Sequence, residues 1–81
     1  MAINEDFYLH KIIIQSVEIQ IRDNDPPITK TTFERLLKNG HDEAVAKEMI
    51  ASVIAEEVYL TMKDDRKMNL DNFARRLSEL R

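Results

Sequence analysis

The sequence predicts an all-α fold, one compact arrangement of four helices rather than a long up-down bundle. Three observations carry this. Apolar residues recur at spacings of three and four along most of the chain, as one face of a helix requires. The 81 residues include only one Gly and two Pro. Those three breakers fall where the apolar pattern also stops. The helices so drawn span 4–23, 29–39, 42–62 and 69–80, within a single domain covering 1–81. A chain of this size buries only about three-fifths of the surface it exposes when unfolded, which is one small core.

The first helix, 4–23, ends at Asp23-Asn24-Asp25-Pro26-Pro27, because the residue before a proline is pushed out of the helical region. Inside it, Val17 to Ile21 alternates like a strand and is rich in β-branched residues. No other segment alternates, so a strand there finds no ladder in its own chain, and helix is expected. The second helix, 29–39, starts where Ile28 precedes Thr29 and Phe33 follows four residues later. That spacing reads as an N-cap with a hydrophobic staple. Gly40 supplies its left-handed stop. The third helix, 42–62, opens on Asp42 and Glu43, whose charges suit a helix N-terminus. The fourth, 69–80, repeats the start of the second through Met68, Asn69 and Phe73. The echo between TFERLL and NFARRL therefore reflects a shared start, not an internal duplication.

Helices two and four each carry a single apolar stripe, Phe33, Leu36 and Leu37 on one and Leu70, Phe73, Leu77 and Leu80 on the other. The first helix carries two. One face holds Ile3, Phe7, His10, Ile14, Val17 and Ile21; the other holds Tyr8, Leu9, Ile12 and Ile19. Two apolar faces need two partners. Either this helix is the buried centre of the bundle, or its second face is covered by a second copy of the chain or by another protein. Tyr8, Leu9, Ile12 and Ile19 are the candidate interface.

Composition closes several classes. Apolar content of 43% with 33% charged residues is globular. No apolar run exceeds three residues, whereas a membrane span needs about 18 or more. The N-terminal Met1 to Asp6 is acidic where a signal peptide is basic. With no Cys, no thiolate site or disulfide frame exists, so a cytoplasmic location without export is the expectation. No cofactor signature is present, and the reading points away from an enzyme.

Two polar constellations remain. On the third helix Glu57 falls in the middle of an apolar face of Ala46, Met49, Ile50, Val53, Ile54 and Leu60, and His10 holds the same central place on the first helix. A buried carboxylate and a buried imidazole each demand a partner, so His10 and Glu57 are expected to face one another, with Asp6 one turn before His10. A small metal-dependent or acid-base protein is the alternative built on these three residues. The bland reading, a satisfied or half-exposed core histidine and a glutamate at the edge of the packing that reaches water, weighs against it. His41, directly after Gly40, is expected to stack on Leu36 or cap a helix end, and Met49, Met62 and Met68 to fill gaps in the core.

Charge is uneven: His41 to Met62 holds five acids and one Lys, Lys63 to Arg81 six bases and four acids. Helix two, Gly40 and helix three superficially match a helix-turn-helix, but the second of these helices presents Asp42, Glu43 and Glu48 where phosphates would lie. Lys63, Arg66, Lys67, Arg75 and Arg76 form the better basic patch for a nucleic-acid accessory role, against which stands the plain reading of a solvated helix face. The net charge of −3 gives no global pull towards nucleic acid.

Several landmarks together resemble a known family. Asp6-Phe7-Tyr8-Leu9-His10, Gln15, the Asp23-Asn24-Asp25-Pro26-Pro27 break, Phe33-Glu34-Arg35-Leu36, Gly40-His41-Asp42-Glu43-Ala44 and Phe73-Ala74-Arg75-Arg76-Leu77 are similar to the bacterial domain-of-unknown-function family eighteen forty-one. The resemblance spans most of the chain and implies a small helical bacterial cytoplasmic protein with no assigned activity. Relatives often carry further histidines on the first helix and near the start of the third. Here Ile14 and Ala46 or Lys47 stand near those places, so any metal site that such histidines form is incomplete in this chain. Leu36-Leu37-Lys38-Asn39-Gly40-His41 bears a looser likeness to the first-helix ending of ubiquitin-associated domains, whose helices are much shorter than the third helix here.

Overall fold

A computed structural model describes residues 2–64, 67 and 69–81, with side chains from Tyr8 onward. Four helices follow in order, α1 (Ala2–Asp23), α2 (Pro27–Lys38), α3 (Glu43–Asp64) and α4 (Leu70–Ser78). The all-α expectation holds, and the strand-like segment 17–21 is helix within α1. No strand occurs among the described residues.

Local chemistry sets the ends. α1 stops at a left-handed Asn24 (φ 53°), with Asn24 N–H donating to Ile21 O at 3.3 Å and Asp25 N–H to Gln20 O at 3.1 Å. This nested pair of bonds satisfies carbonyls that the last turn leaves open. The stop thus precedes the prolines by a residue, and Asn tolerates the conformation that β-branched residues resist. α2 ends the same way on Gly40 (φ 105°): Gly40 N–H bonds Leu37 O and His41 N–H bonds Leu36 O, each at 3.1 Å.

Thr29 is not the cap of α2. The helix begins two residues earlier at Pro27, after an extended Pro26, because a proline at the first helical position has no N–H to leave unsatisfied. Thr29 is buried instead, and its hydroxyl donates to Gln20 Oε1 at 2.7 Å, tying α2 to α1. The cap at Asn69 is present: its side chain accepts from Asn72 N–H at 3.1 Å. Its expected staple partner Met68 lies outside the described residues. Asp42 caps α3, accepting from Val45 N–H at 2.8 Å.

The core joins Val17 of α1, Leu36 of α2, Ala46, Ile50, Val53 and Ile54 of α3, and Phe73 and Leu77 of α4. α2 and α3 form the middle layer. α1 packs on both from one flank and α4 on both from the other, and among the described residues α1 and α4 do not pack together. The first helix is therefore not the buried centre of the bundle. It has one covered face and one open one. Two further expectations fail at the margins. Leu70 is exposed, because the first turn of α4 overhangs the core, and Met62 is exposed, because it lies on the outer side of α3.

Candidate functional site

The open face of α1 presents four large apolar side chains to water. Tyr8, Ile12 and Ile19, spaced by four and seven, share one stripe. They are 67%, 42% and 48% exposed, and Leu9 beside them is 52% exposed. This is the face the sequence singled out. α3 runs antiparallel to α1, with Glu18 near the end of α1 meeting Lys47 near the start of α3 at 3.2 Å. That pairing brings the early part of α1 against the late part of α3. There Leu9, His10 and Ile13 of α1 and Ala55, Val58, Tyr59 and Met62 of α3 line an open groove of about 340 Å³. Val58, Tyr59 and Met62 are exposed as well.

The sequence pointed to neither Val58 nor Tyr59 as surface anchors, and it placed Met62 in the core. The signal was present in the 3.6-residue period: Ala55, Tyr59 and Met62 fall on the side of α3 opposite to the core stripe of Ala46, Ile50 and Val53. What the sequence lacked was the height at which α1 lies beside α3.

His10 and Glu57 do not meet. His10 is half in water, and its Nε2 donates to Glu48 Oε1 at 2.9 Å across the outer seam of α1 and α3. The reason lies along the helix. His10 shares the arc of Ile14, Val17 and Ile21 but stands about a turn before the first of them, where α1 borders the open groove and Glu48 of α3 is the carboxylate within reach, while Glu57 is held by α4. The Asp6 side chain lies outside the described residues. No group of three or more His, Asp or Glu placed to hold a metal occurs among the described residues.

Glu57 is buried, as its place in the apolar face required, but its partners come from α4. Its Oε1 accepts from Asn72 Nδ2 at 2.7 Å and from Arg76 Nη1 at 3.2 Å. Arg76 also pairs with Glu56, and these carboxylates, Glu56 first, hold the guanidinium above its ordinary pKa. Glu57, Lys67, Asn69 and Asn72 border a polar cleft of about 320 Å³. Two hydrogen bonds and a counter-charge make Glu57 a lock between α3 and α4.

The basic residues are dispersed in role. Arg76 is committed to Glu56 and Glu57, Arg75 donates to Asn72 Oδ1, and Lys63 Nζ stands 5.9 Å over the Tyr59 ring. Lys67 borders the Glu57 cleft, and Arg66 lies outside the described residues. Arg76, with its charge already balanced, drops out of the expected patch. His41 caps no helix: its Nε2 donates to Arg81 O at 3.0 Å, three residues beyond the end of α4. Arg35 supports the same corner, donating to Leu77 O at 2.9 Å and to Leu80 O.

No helix among the described residues is long and apolar enough to cross a membrane. The chain matches no protein-family model, no curated protein and no solved structure.

Proposed function

We propose that this chain is a non-catalytic protein-interaction domain that self-associates, as a homodimer, through the outer face of α1. One observation carries the reading: Tyr8, Leu9, Ile12 and Ile19 stay exposed although α1 already has α2 and α3 on its other side. Tyr8, Leu9 and Ile12 form an apolar patch left in water, with Ile19 two turns on past Gln15 and Ser16; such a patch is costly for a small domain, and a second copy removes that cost without further sequence. Tyr8 supplies the aromatic anchor and Ile12 and Ile19 the branched aliphatic ones. The resemblance to family eighteen forty-one supports a bacterial cytoplasmic setting.

The test is native mass by light scattering across a hundredfold concentration range. The reading expects twice the chain mass, and expects Ile12→Lys with Ile19→Lys to give a monomer of unchanged helicity. A wild-type monomer throughout that range refutes it and directs the search to a foreign partner. Should the double variant lose helicity, Tyr8→Lys, at a position 67% exposed, takes its place, and a Tyr8→Lys dimer as tight as wild type refutes the reading.

A further inference from the structure

Resting on that reading, we infer that the groove between α1 and α3 receives α1 of the second copy, laid antiparallel to the α1 beside it. Each protomer then gives a helix and takes one, the isologous exchange that a two-fold axis produces.

Area favours this composite surface over α1 alone. Tyr8, Leu9, Ile12, Val58, Tyr59 and Met62 keep between 39% and 77% of their surface in water. Together they expose about 600 Å² of side chain, or about 1,200 Å² over two copies, which reaches the lower bound of stable interfaces before any rim atom is counted. The α1 residues by themselves supply about half of that. Shape agrees, because Ala55 keeps one wall of the groove low enough for a helix to approach.

Charge fixes the direction. Lys63 stands over Tyr59 at one end of the groove, and Glu48, bound to His10, stands at the other. On α1 the exposed Lys11 and Glu18 fall on either side of Ile12 along the helix, and Glu18, which meets Lys47 of its own chain at 3.2 Å, keeps half of its side chain in water for a second cation. An antiparallel occupant sets its Glu18 towards the Lys63 end and its Lys11 towards the Glu48 end, opposite signs at both. A parallel occupant sets like charges together, which interfaces avoid.

Met62→Lys separates the groove from the α1 face, because Met62 is 77% exposed and can be changed without touching the monomer's core. Its dissociation constant, read by sedimentation or light scattering, should rise on the order of a hundredfold, the size of a lost anchor, with unchanged circular dichroism. Lys63→Glu should weaken the dimer, Glu18→Lys should weaken it more than Lys47→Ala, which removes the same own-chain pair alone, and Lys63→Glu with Glu18→Lys should recover affinity towards wild type. A Met62→Lys dimer as tight as wild type, while Ile12→Lys dissociates, overturns the groove and leaves α1 self-association standing. Additive weakening in the charge-swapped double variant overturns the antiparallel direction. A wild-type monomer overturns both readings.

Discussion

Arg76→Met should destabilise the fold by about 2 to 3 kcal/mol, and the number follows from what it leaves behind. The Glu57 side chain is only 4% exposed, and its Oε1 is held by Asn72 at 2.7 Å and Arg76 at 3.2 Å. Removing one member of a buried ion pair costs about 3 to 5 kcal/mol, because the remaining charge is uncompensated. Two features of this site reduce that. Arg76 keeps 21% of its side chain in water, and the Asn72 bond survives the change. The lost pairing with Glu56 adds little, since that carboxylate is solvated. Total stability for a chain this long is roughly 4 to 12 kcal/mol, so the loss is a large fraction of the whole. Urea unfolding followed by far-ultraviolet circular dichroism reads it directly. With a slope near 1 kcal/mol per molar urea, the midpoint should fall by about 2 to 3 M. Glu57→Met combined with Arg76→Met should regain most of the loss, because an apolar pair of similar volume needs no counter-charge. A midpoint for Arg76→Met within about 0.5 M of wild type, or a double variant weaker than the single, refutes the lock between α3 and α4.

Three further outcomes follow from particular atoms. Thr32 is buried and its Oγ1 has no hydrogen-bond partner, so Thr32→Val should stabilise by about 1 kcal/mol; a lower urea midpoint would show that the hydroxyl is satisfied in solution. Asp42→Ala removes the acceptor of Val45 N–H and should cost about 1 kcal/mol, lowering the melting temperature by roughly 4 to 8 °C, whereas Asp42→Ser should retain most of the cap. The Arg22 guanidinium, through its hydrogen bond, holds the Asp23 carboxyl below its usual pKa. A carboxyl depressed in the folded state contributes stability above its unfolded pKa and loses it as pH falls through the folded value. Arg22→Ala should therefore flatten the acid limb of the stability curve below about pH 4, and superimposable limbs for variant and wild type would count against the pairing.

Much of the fold was legible because helical periodicity is written locally. The four elements, the Gly40 stop, the Asn69 cap and the open stripe of Tyr8, Ile12 and Ile19 all follow from spacing within one helix. Thr29 misled because capping side chains and buried threonines look alike in sequence, and the prolines before it had already started the helix. The partners of Glu57 were hidden for a different reason. Its burial follows from the face of α3, but the choice between His10 on α1 and Arg76 on α4 depends on which neighbour each side of α3 meets. That is tertiary information. The α3 wall of the groove was obscured in the same way, since Tyr59 and Met62 become a site only when Leu9 and Ile13 stand opposite them.

The layering of the helices also implies a hierarchy of local opening. Among the described residues α1 and α4 each lean on α2 and α3 and not on each other, so either flank can peel away without disturbing its counterpart. α4 has only nine residues, and its hold on the rest passes through Phe73, Leu77, the Glu57 lock, the Arg35 bond to Leu77 O and, just past the helix, the His41 bond to Arg81 O. Amide protons of α4 should therefore exchange through a low-energy detachment that leaves α1 protected, while those at the centre of α2 and α3 wait for global unfolding. The chain would breathe from its two edges independently, around a middle pair that closes last.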